Sequence, residues 1–203
     1  IRDAAYDALR DVGREHVIPA LVQALGDTDP TRRHMVIELL GVFHYEPVVP
    51  ALIQRLREPY KDIQEAITAL ARIGTPEAID ELIELLWHEV DAYREAAARG
   101  LGLARAESAL QMLCLLAESD ASPTVRGAAM GAVTAMGTME AFSHLEEIVR
   151  RGGLEEFYPQ LIQVLGMFSH PAEIPILLEI ARNLIDPEDA MTILDSILTP
   201  HGE

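Results

Sequence analysis

Leu70-Ala-Arg-Ile-Gly-Thr-Pro-Glu-Ala-Ile-Asp-Glu-Leu82 decides how this chain is read. Two leucines stand twelve residues apart with Gly74 between them, and the spacing recurs. Leu9, Leu40, Leu70, Leu101, Val133 and Leu165 are each followed twelve residues later by Leu21, Leu52, Leu82, Leu113, Leu145 and Leu177. The first member of the pair returns at steps of 31, 30, 31, 32 and 32 residues. Self-similarity at such a period marks a stacked array of repeats, in which each unit packs on its neighbours and no single central core exists.

Each unit reads as two helices. Ala5, Val36, Ala66, Ala97, Ala129 and Leu161 lie four residues before the first anchor, on the same helical face. Ile18, Val49, Ile79, Leu110, Phe142 and Ile174 precede the second anchor by three. Leu25, Leu56, Leu86, Ala117, Val149 and Ala181 follow it by four. This i, i+3, i+7 pattern puts one apolar stripe on each helix, and strand-like alternation is absent. Gly13, Gly74 and Gly137 fall between paired helices, where a left-handed residue stops the first one. Asp27-Thr-Asp-Pro30, Glu58-Pro59, Ser122-Pro123 and Asp186-Pro187 separate units, with Asp or Ser placed to cap free N–H groups. Pro19, Pro50 and Pro175 open the second helix or kink it one turn in.

Composition agrees. Of the 203 residues, 49% are hydrophobic and only 5% aromatic, so the interior is aliphatic. The single cysteine, Cys114, excludes an intrachain disulfide, and its apolar neighbours suit a small buried hydrophobe. A reducing, cytoplasmic setting is the expectation. Ile1 already lies inside the first repeat, so the chain reads as a piece of something longer. The net charge of −17 is uneven: −2 over residues 1–60, −7 over 61–123 and −8 over 124–203. Such a field repels phosphate backbones, which argues against nucleic acid and anionic membrane as partners.

Asp120-Ala-Ser-Pro-Thr-Val-Arg-Gly-Ala-Ala-Met-Gly-Ala-Val133, with Ile18-Pro-Ala-Leu-Val-Gln-Ala-Leu25 and Val49-Pro-Ala-Leu-Ile-Gln-Arg-Leu56, resembles the HEAT-like repeats also called phycobilisome-lyase-like repeats. The resemblance covers about residues 1–198. It implies an all-α fold, a right-handed α-α superhelix (HEAT-like solenoid) of six helix pairs plus a seventh unpaired helix. The expected units of this single array, 1–203, are about 1–30, 31–60, 61–91, 92–123, 124–155 and 156–187, with a final helix at 188–198 carrying Ile193 and Ile197. The resemblance also implies that the repeat arginines Arg2, Arg33, Arg94 and Arg126 pair with acidic groups near the turns, such as Asp27 or Asp120. Ile63 and Tyr158 interrupt that column, so pairing is expected to be weakest around units three and six.

Some relatives of this repeat type are enzymes. Deoxyhypusine hydroxylases build a di-iron site from several His-Glu pairs just after the repeat arginine. Here Arg33-His34-Met35 and Arg94-Glu95 each carry half a pair, and His88-Glu89 falls in a turn, so that centre is not expected. A glycosylase built from such units needs a basic, aromatic-lined groove that this chain lacks. The seven histidines show no metal-binding spacing, and neither a metal nor another cofactor is expected. The alternative drawn from the family is a bilin lyase or chromophore-binding subunit, to which Trp87, Met112, Leu115, Glu147 and Arg150 could contribute. Gly100, Gly102, Gly127 and Gly131 lie inside first helices, where they are expected to permit close approach between units four and five.

The reading that remains is a non-enzymatic protein–protein interaction scaffold. Solenoids bind on an extended surface lined by second helices. Two positions beyond each second anchor, Gln23, Gln54, Glu84, Leu115, Glu147 and Glu179 should face out; five beyond, so should Gly26, Arg57, Trp87, Glu118, Arg150 and Arg182. Asp80, Glu84, Trp87, His88, Gln111, Leu115 and Glu147 are the candidate partner-binding residues, and a basic protein segment is the expected partner. Trp87 has a competing reading, as filler between units three and four.

Overall fold

The computed structural model of the chain describes residues 14–57, 62–152, 154–162 and 174–183. Leu9, Leu165, Ala5, Gly13, Arg2, Glu58-Pro59, Asp186-Pro187 and the final helix with Ile193 and Ile197 lie outside the described residues, as does the Ala181 side chain. Regular structure among the described residues is entirely helical: α1 (Arg14–Ala24), α2 (Pro30–Val42), α3 (Val49–Leu56), α4 (Ile63–Ile73), α5 (Pro76–Leu85), α6 (Asp91–Ala104), α7 (Leu110–Ser119), α8 (Pro123–Met136), α9 (Met139–Arg150) and α10 (Ile174–Asn183). Short 3-10 turns at Glu46–Val48, Glu107–Ala109 and Glu155–Phe157 lead into the helical segments that follow them. No described helix is long and apolar enough to cross a membrane.

The anchors form the core. Leu40, Leu52, Leu70, Leu82, Leu101, Leu113, Val133 and Leu145 are fully buried, and Leu21 and Leu177 are buried. The stripes follow, except that Ile79 is half-buried and Ile174 exposed. The chain divides into two compact units, one ending at Ala104 and one beginning at Arg105. In the first, α2 packs on α4 and α4 on α6, α3 packs on α5, and α4 also packs on α3 and α5. First helices thus stack on first helices and second on second, so each apolar stripe is covered by the neighbouring repeat. In the second unit, α8 and α9 pack on each other and on α7, and α9 also packs on α10.

Local chemistry sets the boundaries. Gly74 (φ 69°) and Gly137 (φ 64°) end α4 and α8 in the left-handed region, and Thr75 and Thr138 then cap α5 and α9 by accepting from the N–H groups of Ala78 and Ala141. Asp29 caps α2 in the same way, through Thr31 N–H. Ser122 does not cap α8 with its side chain; its hydroxyl lies 2.8 Å from that of Thr124, while Asp120 accepts from the Ser122 N–H. Pro19 lies within α1, whereas Pro50 and Pro175 take the second residue of α3 and α10.

At the position of Gly74 and Gly137, the second and fourth repeats carry His44 (φ 50°) and Arg105 (φ 51°). A side chain in this region costs about 1 kcal/mol, because Cβ crowds the following carbonyl. Replacing His44 or Arg105 by Gly is therefore expected to raise the melting temperature, with a stability gain of about 0.5 kcal/mol after the glycine's own entropy cost. A fall in melting temperature for both variants would show that their side chains contribute more than the strain removes.

The glycine expectation is corrected. A Cβ on Gly100 would lie 2.8 Å from Ile67 Cγ2, so this glycine admits a close approach to the third repeat. Gly127 faces the Phe157 ring at 3.2 Å, and Gly131 faces open space. A close approach to backbone occurs at a glycine the pattern did not single out: a Cβ on Gly41 would come within 2.8 Å of Ala69 Cα.

Candidate functional site

In α5, Ala78, Leu82 and Leu85 turn inward, and Leu86 beyond the helix is fully buried. That leaves Glu77, Asp80 and Glu84 exposed, with Glu81 half-buried between them. The helix unwinds into a turn in which the N–H groups of Trp87 and His88 donate to the carbonyls of Glu84 and Leu85, each at 3.1 Å. Because Leu86 takes the interior, Trp87 points away from it and is 60% exposed. Between its two readings, the structure places it at the surface. Asp80, Glu84 and Trp87 follow at i, i+4 and i+7, one face of one helix and its turn.

His88 behaves differently. Its ring stacks on buried Tyr93, with centroids 4.1 Å apart and planes at 20°. Nδ1 accepts from the Val90 N–H at 3.1 Å, and the His88 carbonyl accepts from Arg94 at 2.8 Å. These contacts hold the turn and leave the ring little freedom.

Burial raises the Glu81 carboxyl above its ordinary range; the charge of Glu84 adds to this, Arg57 opposes it, and Glu77 adds again. Burial is the main cause and the neighbouring carboxylates add to it; among the described residues no Lys, Arg or His is ion-paired with Glu77, Asp80 or Glu84.

The candidates of the second unit meet a different environment. Gln111 and Leu115 are exposed on α7 and Glu147 on α9. Neighbouring acids are tied up: Arg150 bonds to Glu146 and lies 3.9 Å from Glu179, Arg182 bonds to Glu179 at 2.6 Å, and Arg151 reaches Glu118 at 3.5 Å. Glu179 is therefore half-buried rather than outward-facing. Of the residues considered for a bilin site, Arg150 is engaged with carboxylates and Met112 is half-buried. Cys114 is buried, and burial followed by the charge of Glu118 pushes its thiol up to about 11, consistent with an inert packing residue.

The arginine column reaches beyond its own turns, to acids at the start of the following repeat. Arg33 donates to the main-chain carbonyls of Asp27 (2.9 Å) and Thr28 (3.0 Å), Arg94 to those of His88 and Glu89, and Arg126 to that of Asp120. Arg33 and Arg126 also reach carboxylates of the next repeat. Arg33 forms a two-point contact with Asp62 (2.9 and 3.3 Å), and Arg126 one with Glu156 (2.6 and 2.8 Å). Asp62 also accepts from Arg55 at 3.1 Å and lies 2.7 Å from His34. Pairing is thus densest at the start of unit three, where Ile63 had suggested weakness. At unit six, buried Tyr158 accepts from Asn183, which also donates to the Val149 carbonyl at 2.7 Å. An arginine that satisfies turn carbonyls on one side and the next repeat's carboxylate on the other joins repeats, and does not form an anion-binding row.

Among the described residues, no three His, Cys, Asp or Glu side chains are grouped as a metal site requires. What the α5 face offers is charge without a partner beside an exposed indole.

No curated protein matched the sequence. Among solved structures, the complex of CpcE and CpcF of phycocyanin lyase from Nostoc sp. PCC7120 is similar at 17% identity and a TM-score of 0.45, covering 88% of this chain and 93% of that one. Human deoxyhypusine hydroxylase in complex with glycerol is similar at 21% identity and a TM-score of 0.44, covering 96% and 88%. An engineered protein gives 21% identity and a TM-score of 0.41, covering 90% and 89%. The family model of HEAT repeats matches residues 1–66, 63–102 and 88–156, most of the chain. With its buried twelve-residue anchors and stacked helix pairs, this chain belongs to the HEAT repeat family.

Proposed function

We propose that this chain is a non-enzymatic interaction scaffold, a single repeat array over residues 1–203 whose acidic second-helix surface receives a basic segment of a protein partner. The observation that carries the reading is the row of carboxylates on α5, none of them in an ion pair among the described residues, ending at exposed Trp87. Large exposed aromatics bordered by polar groups are the composition of binding hot spots. Unpaired acids set up a field that steers a basic partner and fixes its orientation. In the second unit Glu147 and Leu115 are exposed at the corresponding register positions, near acids already paired with arginine.

Affinity capture with the intact protein tests this reading. Discrete partners are expected to be retained at about 0.1 M salt, where exposed charges act over ~10 Å, and to be released as salt rises toward about 1 M. Absence of any retained partner at low salt would overturn the scaffold reading, and retention indifferent to salt would replace the acidic surface with an apolar one.

A further inference from the structure

The α5 face borders a groove. Pro50, Ile53, Gln54 and Arg57 form the α3 wall, Glu77 forms the α5 wall, and the space between them is about 530 Å³. Ile53 is buried at its base, while Pro50 and Gln54 are exposed. From Glu77 the carboxylates continue through Glu81 to Glu84, and Trp87 stands one turn further. At about 1.5 Å per residue this row is roughly 15 Å long, the span of about five residues of extended chain.

We propose that the α3–α5 groove, together with the acid row and Trp87, takes a short extended segment of a partner protein, with an apolar side chain against Pro50 and Ile53, lysine or arginine along α5, and one cation on the Trp87 indole. The inference rests on the scaffold reading and adds the place and chemistry of the contact. Charge complementarity selects this occupant. An acidic segment would meet four carboxylates opposed by one arginine. A neutral segment would strip water from Glu77 and Glu81 without supplying a partner, which is costly. A cation there supplies a counter-charge to Glu77 and Glu84, whose like charges add to the effect of burial on the Glu81 carboxyl. A cation over an exposed tryptophan adds attraction worth about two- to fivefold in affinity. Arg57, on the opposite wall, makes the site directional, since the segment's cations must lie toward α5.

Trp87 is the one tryptophan in the chain, so its emission reports occupancy directly. Fluorescein-labelled octa-arginine and octa-lysine would be titrated into the intact protein at about 0.1 M salt, following peptide anisotropy and Trp87 emission together. The expected result is a saturable emission change coincident with binding. Glu84→Lys should weaken binding about tenfold and Arg57→Glu should tighten it about threefold. Glu107→Lys, at an exposed acid of the other unit, should change it by less than about twofold. Unmoved Trp87 emission, or equal weakening by Glu84→Lys and Glu107→Lys, would overturn the site and mean that the −17 charge attracts polycations diffusely. A partner captured by the wild type and retained equally by Trp87→Ala and Glu84→Lys would overturn this site while sparing the scaffold reading. Failure to capture any partner would sink that reading instead.

Discussion

Replacing Asp62 by Asn is expected to cost about 3 kcal/mol of stability, because removing one partner of a buried ion pair strands the others. The Asp62 side chain is only 1% exposed and faces Arg33 and Arg55, which are 11% and 16% exposed, with His34 at the rim. Asn is the informative substitution. Asp62 sits at φ 55°, a region that Asn tolerates and most side chains do not, so the charge is removed while the backbone is spared. Urea unfolding of both proteins would measure the difference; a loss under about 0.5 kcal/mol would show that the turn carbonyls of Asp27, Thr28 and Leu25 satisfy the two arginines unaided.

The same carboxylate fixes a pH dependence. Burial by itself would raise the Asp62 carboxyl, but the hydrogen bonds and charge of Arg33, and then those of His34, outweigh burial and hold it below its ordinary range. A carboxyl depressed by folding stabilises at pH values above its unfolded pKa, and that stabilisation disappears as pH falls through the lower folded value. Wild type and Asp62→Asn should therefore differ fully at neutral pH and converge in acid, below the ordinary carboxylate range. A gap that stays constant down to that range would mean that charge is not its cause.

Gly41→Ala and Gly131→Ala are expected to move stability in opposite directions although both glycines lie inside first helices. Each change gains about 1 kcal/mol of helix propensity. At Gly131 nothing lies within 4 Å of the new methyl, so the gain stands. At Gly41 the methyl meets Ala69 Cα at 2.8 Å, and a backbone atom cannot swing aside as a side-chain end can. Forcing α2 and α4 apart costs about 1–3 kcal/mol, for a net loss of about 1. Thermal melts of the pair would check this, and a Gly41→Ala variant at least as stable as wild type would mean that the two helices part without penalty.

The α5 face was partly legible. The outward spacing of Asp80, Glu84 and Trp87 follows from the register of Leu82, since side chains four and seven apart share a helical face. The register put Leu86 inward and Trp87 outward, but not whether Trp87 then fills the gap to the fourth unit, because that depends on how neighbouring helix pairs are set together. His88 carried no mark of its stacking on Tyr93, a contact created by the turn into α6. Counting charges also misdirected: residues 124–203 carry the largest net charge of the three segments, −8, yet several of their described acids are held by Arg126, Arg150 and Arg182. Acidity as composition and acidity as unpaired charge are different quantities.

The sequence by itself determined the repeat, its register and its stops. Apolar stripes at helical spacing, Gly74 and Gly137 in the left-handed region, and Pro at helix starts act within one or two turns of chain, so they can be read locally. Tertiary structure alone decided which repeat each arginine joins, which glycine touches backbone and where carboxylates stand unpaired. Those contacts span about thirty residues, as from Arg33 to Asp62 and from Arg126 to Glu156. They depend on how one helix pair is set against the next, to within a fraction of an ångström, and a pattern of apolar positions sets that stacking without specifying it so finely.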